Sequence, residues 1–325
     1  MVWIHREASP FIHMHPTTLL AFFELSRAPV LCGAAILLFL IALWAAKADI
    51  AQARGLDKLV ALSNLCFAVP LAVFGAEHFT DTQSIKGLVP SFVPWPLFWT
   101  YFVGLTLLAA SLSIATRIQV RWSGLLFGIM MFLFVAMMDI PGTLADPKNR
   151  FSWILTVREM SFGAGGWLLA GSAIRAGRTL HGQSVEQGRG QAAGKLIAVG
   201  RVLIAIAAIF YGVENFLHTA NVPGVPLEKL LPAWIPAHQL IGWLTGAILF
   251  AAGIAIFLDK KTRAASTYLG TWIVLLVIFI YGPILIAALA DPSPDAKMEG
   301  INYFFDTLLF AGAILALARA TPSAD

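Results

Sequence analysis

Long apolar segments alternate with short polar ones along the chain from Ala28 onward. The first, Ala28–Ala46, is uncharged, and at about 1.5 Å per residue it is long enough for a hydrocarbon core of roughly 30 Å. The further apolar segments are Leu59–His78, Leu97–Ala115, Trp122–Ile140, Phe151–Ile174, Leu196–His218, Ala237–Leu258, Thr267–Ala290 and Ile301–Ala318. The pattern predicts an all-α, polytopic membrane protein with about nine transmembrane helices.

The two halves of the chain repeat each other in the order of their features. GAEHF, starting at Gly75, corresponds to GVENF at Gly212, and VPSFVP at Val89 corresponds to LPAWIP at Leu231. Further matched pairs are Gly104 with Gly246, Arg121 with Arg263, Gly128 with Gly270, Pro141 with Pro283, Glu159 with Asp306 and Gly165 with Gly312. Chance does not readily give this order, so the sequence predicts a duplication. A unit with an even number of spans returns to its starting side, so the copies should be parallel repeats.

Four parts of the chain follow from this repeat. We expect an N-terminal segment with the first helix (1–57), a four-helix unit (58–175), a linker (176–195) and a second four-helix unit (196–320). The linker is rich in Gly, Gln and Arg and has no apolar period, which is typical of a flexible cytoplasmic connection.

Composition supports a lipid environment and excludes several kinds of site. Hydrophobic residues make up 58% of the chain and charged residues 12%, with a mean hydropathy of +0.78, whereas a soluble domain carries about a quarter charged residues. The net charge of +4 comes from basic residues between the spans, so nucleic-acid binding is not predicted. Cys32 and Cys66 lie in apolar runs without a metal-type spacing, and both are expected to stay reduced.

Carboxylates lie within or at the ends of predicted spans in both halves, at Glu77, Glu159, Glu214 and Asp306. Each is roughly 20–28 Å along its helix from the nearest inner basic residue, at about 1.5 Å per residue. An ionisable group costs roughly 2.5–3.5 kcal/mol at the bilayer centre and less near the interface. These residues predict either an outward-opening polar pocket in each half, which binds a ligand or relays protons, or structural ion pairs.

The first half is predicted to hold the working site. Its candidate ligand- or proton-site residues are Glu77, His78, Asp139, Arg158 and Glu159. First and last helices of a four-helix bundle can be neighbours, so Glu77 and Glu159 are expected to converge, with Arg158 paired to Glu77 or Asp139. The second-half equivalents are Glu214, Asn215 and Asp306. They are expected to be structural, because Asn215 stands where the first half has His78 and no arginine precedes Asp306.

Histidines and aromatic residues add less specific signals. His78, His218 and His238 lie at span ends, which disfavours a haem, and His5, His13 and His15 are weak indications of a metal site, so no metal site is predicted. The proline loops carry Phe92, Trp95, Phe98, Trp99 and Trp234. They form either an interfacial aromatic belt or a lid over a pocket for a quinone-like ligand. Gly163–Gly166 is expected to pack closely against another helix.

The motifs of both units resemble the DoxX family. The first unit carries Phe74-Gly75-Ala76-Glu77-His78-Phe79, Pro90, Pro94, Gly104 and Glu159. The second carries Gly212, Glu214, Phe216, Pro232, Pro236, Gly246 and Asp306, with Asn215 in place of the usual His. The resemblance covers about residues 58–320 and implies a four-helix unit, here in tandem. It also implies a link to membrane redox systems, because the family contains subunits associated with thiosulfate–quinone oxidoreduction and with redox stress complexes.

The leading expectation for function is a quinone-proximal component of a membrane redox system in a bacterial-type inner membrane. No cofactor is evident from the sequence, although a quinone is a candidate ligand, so a redox partner protein would have to supply electrons. The alternatives are a small-molecule transporter or channel built from parallel repeats, and a lipid-modifying enzyme whose acid pair moves protons.

The distribution of Lys and Arg predicts that the N-terminus lies outside and the C-terminus in the cytoplasm. With nine spans, 14 of the 22 basic residues fall on the inner side and 8 on the outer side, and an excess of basic residues marks the cytoplasmic side. Alkaline phosphatase, which is active only outside the cytoplasm, should give no signal when fused after Asp325. A fusion after Lys86, in a predicted outer loop, should be active. A strong signal after Asp325 would contradict this topology.

Overall fold

Nine long helices make up most of the part of the chain that the computed structural model describes, which is residues 27–178, 186–225 and 228–322. These helices are α1 (Arg27–Gln52), α2 (Ser63–Thr80), α3 (Pro96–Thr116), α4 (Val120–Ala145), α5 (Arg150–Arg178), α6 (Glu186–Leu217), α7 (His238–Phe257), α8 (Thr262–Ala290) and α9 (Pro294–Ala320). Two short helices, Asp57–Ala61 and Thr82–Lys86, lie between them. His5, His13 and His15 lie outside the described residues.

Seven of these helices are long and apolar enough to cross a membrane, so the protein is an all-α polytopic membrane protein. The two that fall short by this criterion are α2 and α5. They carry the charged candidates Glu77, Arg158 and Glu159, which lower their mean hydropathy. The same residues that mark a candidate site therefore weaken the membrane signal of their helices.

Successive long helices run in opposite directions, as contacts between their ends show. At one end, Asp49 of α1 accepts hydrogen bonds from Arg117 after α3 (2.8 Å) and from Arg319 of α9 (3.3 Å). At the other end, Arg27 at the start of α1 pairs with Asp81 after α2 (3.0 Å). We call the first the arginine end, formed by Arg117, Arg175, Arg201, Arg263 and Arg319, and the second the proline-loop end, formed by segments 87–95, 218–225 and 228–237.

Arginines at the arginine end bind the carboxyl ends of helices. Arg263 donates to the carbonyl oxygens of Ala318 (3.0 Å) and Thr321 (3.1 Å), and Arg201 donates to that of Ile256 (2.7 Å). The last four carbonyls of a helix have no partner within the helix and carry partial negative charge. Basic residues that the sequence offers as topology signals therefore also cap helices in the structure.

The two halves interlock instead of forming separate bundles. The last helix of each half packs along the first helix of the other half, α9 on α2 and α5 on α6, and α5 and α9 also pack together. A Cβ atom at Gly312 would lie 2.7 Å from the Phe67 nitrogen, so the backbones of α9 and α2 are in direct contact. Small residues permit this close approach between helices in lipid. The expectation that the first and last helices of one unit are close neighbours is therefore wrong for α2 and α5.

The backbone repeats the same unusual conformations in both halves. In the described ranges, six non-glycine residues have positive φ, between 51° and 64°, and they form pairs 142 positions apart: Trp95 with Ala237, Arg117 with Asp259 and Gln119 with Lys261. The π-helical turns Val135–Asp139 and Val277–Tyr281 are 142 positions apart as well. A left-handed conformation costs a non-glycine residue about 1–2 kcal/mol, so the two halves carry this backbone strain at corresponding positions.

Helix boundaries differ from the sequence-based expectation at the predicted linker. Helix α5 continues to Arg178 and α6 begins at Glu186, so most of the segment 176–195 is helical. Alanine, glutamine and arginine are good helix formers, which extends the two helices beyond the apolar segments.

Cys32 and Cys66 are unpaired, as predicted.

Replacing Gly312 by alanine should destabilise the protein, because the new Cβ would lie 2.7 Å from the Phe67 nitrogen and 2.8 Å from the Cys66 carbonyl carbon. Overpacking of this kind costs about 1–3 kcal/mol. Gly33→Ala is the matched control, since nothing lies within 4 Å of a Cβ at that position. Thermal unfolding in detergent micelles should show a lower midpoint for Gly312→Ala alone. Equal midpoints would contradict the close contact of α9 with α2.

Candidate functional site

Arg158 joins the two halves at the contact of α5 with α9. Its Nη1 donates to Asp306 Oδ2 (2.8 Å), and its Nη2 donates to Glu159 Oε1 (3.0 Å). The Asp306 side chain is 8% exposed and the Arg158 side chain 19%. Charge-assisted hydrogen bonds in such surroundings are stronger than bonds between neutral groups. One guanidinium therefore holds a carboxylate from each half.

These partners differ from the ones that the sequence analysis expects for Arg158. Glu77 and Asp139 were the candidates, whereas the structure pairs Arg158 with Asp306 and with its chain neighbour Glu159. Because α9 packs against both α2 and α5, it is Asp306 and not Glu77 that faces the guanidinium. The expectation that Asp306 belongs to a separate, structural site in the second half is therefore also wrong.

Glu77 and Asp139 lie at the edges of this cluster. Glu77 Oε1 accepts a hydrogen bond from Asn302 Nδ2 of α9 (3.2 Å), and Glu77 also interacts electrostatically with Asp306 and Arg158. Asp139 interacts electrostatically with Glu159 and Arg158. Its Oδ2 is buried and has no hydrogen-bond partner among the residues that the structure describes. We call Glu77, Asp139, Arg158, Glu159 and Asp306 the Arg158 cluster.

The Arg158 cluster contains more carboxyl groups than positive charges. Four carboxyl groups surround one guanidinium, and carboxylates that share a poorly solvated site cannot all ionise easily. Arg158 Nε and Asn302 Oδ1 are buried without partners in the described part of the chain, as is Asp139 Oδ2. Unsatisfied buried polar atoms call for a bound water, ion or ligand. The cluster can therefore hold exchangeable protons and bind a polar group.

His78 and Asn215 occupy equivalent positions and make equivalent hydrogen bonds. His78 Nδ1 donates to the Phe74 carbonyl oxygen (2.7 Å), and Asn215 Nδ2 donates to the Tyr211 carbonyl oxygen (2.7 Å). Each bond reaches four residues back within its own helix, where either side chain satisfies the same carbonyl. The presence of Asn215 at the position of His78 therefore leaves this structural contact intact, and the contact occupies only Nδ1 of the His78 ring.

Glu214 belongs to a different ion pair. Arg150 Nε at the start of α5 donates to Glu214 Oε2 (2.5 Å), and His218 Nε2 lies 3.8 Å from the same oxygen. This pair ties α5 to α6 near the proline-loop end. Glu77 and Glu214 therefore make similar contacts: each binds a residue in the last helix of the opposite half.

Two residues at this interface were missed from the sequence. Asn302 lies four positions before Asp306 in α9, and that spacing places both side chains on one face of a helix. The amide of Asn302, one helical turn before Asp306, therefore indicated a second polar residue on the same helix face. Tyr211, which is fully buried, donates to the Ile154 carbonyl oxygen (3.0 Å). Its partner is a backbone atom, so no sequence signal identified this contact.

The aromatic and glycine-rich segments have simpler roles. Phe92, Trp95 and Trp234 are 68%, 76% and 56% exposed, which favours an interfacial belt over a lid. A Cβ at Gly124 would lie 2.5 Å from the Gly166 carbonyl oxygen, so the Gly163–Gly166 segment packs closely on α4, as expected.

Comparisons with known proteins add no family. No protein-family model matches the chain, and neither a curated protein nor a solved structure does so. Among the described residues, no group of three or more His, Cys, Asp or Glu could hold a metal ion.

Replacing Arg158 by methionine should destabilise the protein strongly, because it leaves Asp306 buried without its partner. Breaking a buried ion pair in this way costs about 3–5 kcal/mol. Lys229→Met is the matched control, because the Lys229–Glu299 pair is 30% and 43% exposed and exposed pairs contribute at most about 1 kcal/mol. Chemical unfolding in detergent micelles measures both effects.

A double variant separates charge from packing. Arg158→Met combined with Asp306→Leu removes both members of the buried pair and should recover most of the lost stability. If the double variant is no more stable than Arg158→Met alone, Asp306 is not the residue that Arg158 neutralises.

Proposed function

We propose that the protein crosses the membrane nine times, as one leading helix followed by two parallel four-helix repeats, with the arginine end in the cytoplasm. The two helices of marginal hydropathy, α2 and α5, lie among the other helices. The end of α2 meets the start of α1, and the end of α5 meets the end of α9, which supports an alternation of direction along the chain. The matched positive-φ residues and π-helical turns support the repeat. The excess of Lys and Arg at the arginine end supports the orientation in a bacterial-type inner membrane.

We further propose that the protein works as a quinone-proximal component of a membrane redox system, in line with its resemblance to the DoxX family. The observation that carries this proposal is the Arg158 cluster, in which Asp306 and Glu159 bind a single guanidinium and Asp139 interacts with it electrostatically. Reduction or oxidation of a quinone requires protons as well as electrons. The surplus carboxyl groups can exchange those protons, and a redox partner protein would supply or remove the electrons.

A small-molecule transporter is the second candidate. Secondary transporters place substrate and coupling-ion sites at the interface between their repeats. The Arg158–Asp306 pair lies at such an interface, because α5 belongs to the first half and α9 to the second.

Quinone content of the purified protein tests the redox proposal. We expect quinone to copurify with the parent protein from its native membrane and to fall about tenfold or more in Glu159→Gln. A hydrogen bond to a charged group contributes about 1.5–3 kcal/mol, and about 1.4 kcal/mol corresponds to tenfold in affinity. Mass spectrometry of extracted lipids gives the quinone-to-protein ratio. Glu299→Gln is the control, because Glu299 belongs to the more exposed Lys229 pair.

Three outcomes separate the two candidates. Loss of quinone in Glu159→Gln but not in Glu299→Gln supports the redox proposal. Equal quinone content in all three proteins, or none in any, contradicts it. Solute counterflow in proteoliposomes that disappears in Glu159→Gln would instead establish the transporter.

A further inference from the structure

The loop between α6 and α7 is folded into the second half of the bundle. Val222, Pro223, Gly224 and Val225 are buried, and an antiparallel bridge between Asn221 and Leu230 holds the two sides of the loop together. We call residues 222–225 the plug. Its surface is apolar except for its backbone, so it fills a space that accepts apolar groups.

The plug is bound by hydroxyl groups from α8 and α9. Tyr281 Oη donates to the Pro223 carbonyl oxygen (2.8 Å), and Thr307 Oγ1 donates to the Val225 carbonyl oxygen. Gly224 has φ of +105°, and a Cβ there would lie 3.4 Å from Tyr281 Oη. The wall of the space therefore donates hydrogen bonds, and its occupant accepts them.

The corresponding loop of the first half is shorter and stays outside. Phe79 and Pro90 are 11 positions apart, whereas their counterparts Phe216 and Pro232 are 16 apart, so the second loop has five more residues. The short helix Thr82–Lys86 in the first loop has no buried residue and packs on α2 and α3. The extra five residues are what allow the second loop to reach inward.

Equivalent positions in the first half are less covered. Tyr281 and Thr307 are 1% and 0% exposed, whereas their counterparts Asp139 and Met160 are half-buried. The Glu159 side chain is 19% exposed and its counterpart Asp306 8%. Among the described residues, the first-half counterparts of the positions that bind the plug are thus left partly uncovered.

The hydrogen-bonding character of the first-half wall is reversed. Asp139 replaces the donor Tyr281 and presents a buried Oδ2 without a described partner, while Met160 replaces the donor Thr307. A carboxyl group keeps acceptor capacity in both its ionised and its protonated form. A molecule that satisfies this Oδ2 therefore brings a donor, along with an apolar body comparable to the plug.

We propose that the first half binds, at the position equivalent to the plug, a small apolar molecule whose hydroxyl group donates to Asp139. This inference specifies the ligand of the proposed function and rests on it for the location of the site beside Arg158. Binding of such a ligand requires no redox chemistry. A reduced quinone and a simple alkylphenol share this chemistry.

Cysteine accessibility tests the open and plugged spaces directly. In a background with Cys32→Ala and Cys66→Ala, Met160→Cys should react with methyl methanethiosulfonate at least tenfold faster than Thr307→Cys. Only a thiolate reacts, so fast labelling reports water access and not lipid exposure. Equal rates at the two positions would overturn the difference between the halves.

Ligand protection tests the hydroxyl requirement with a probe that the protein need not oxidise. In Met160→Cys, 2,6-dimethylphenol should slow labelling at least tenfold, whereas 2,6-dimethylanisole, which lacks the donor, should not. Asp139→Leu should abolish this protection, and Tyr281→Phe, the matched change in the second half, should preserve it. Asp139→Ala also removes the acceptor and should abolish the protection, so it serves if Asp139→Leu does not fold.

The outcomes distinguish this inference from the proposed function. Equal protection by the phenol and the anisole, no protection by the phenol, or protection that survives Asp139→Leu would overturn the ligand class. None of these results depends on quinone content, so the redox proposal could fail while the hydroxyl-binding site stands, and the reverse holds as well.

Discussion

A guanidinium group inside a membrane bundle has to be neutralised, because neither lipid nor a neighbouring apolar helix solvates it. Moving such a charge out of water costs several kcal/mol. In this protein Arg158 meets that requirement with Asp306 from the other half and with Glu159 from its own helix. Asp306 can reach Arg158 because α9 packs against α5. The interlocked arrangement of the halves and the pairing of the buried charge therefore support each other.

The two halves share a backbone course but use it differently. Each has a π-helical turn, a left-handed residue before its second helix and an acidic residue in its last helix. In the second half a loop with five additional residues supplies apolar contacts and carbonyl acceptors, and Tyr281 and Thr307 bind it. In the first half the same positions hold a carboxyl group and a thioether, and none of the described loops covers them. The matched positions of the two halves thus provide, within one chain, a comparison between a covered and a partly uncovered pair of side chains.

Sequence patterns predicted the kind of helices, the unpaired cysteines and the close packing of Gly163–Gly166. They failed for the partner of Arg158. Rise per residue gives the depth of a side chain along its helix, but it does not say which helices are neighbours. In a membrane, apolar residues face both lipid and protein, so hydropathy carries little information about lateral packing. The close contact of Gly312 with the Phe67 backbone places α9 beside α2. A single glycine in a sequence does not indicate which helix it will contact.

The direction of the Asp139 side chain depends on the π-helical turn that ends at this residue. Pro141 and Pro283 lack the amide hydrogen that an α-helix requires, and a π-helical turn precedes each of them. Such a turn accommodates one extra residue, which rotates the following side chains by about 100° relative to a regular helix. The last residue of the turn is Asp139 in one half and Tyr281 in the other. Tyr281 shows that this position faces the space between the third and fourth helices of its half, where it binds the plug. Because the same distortion precedes the same proline, Asp139 is presented to the equivalent space, and its identity as an acceptor decides what that space can bind.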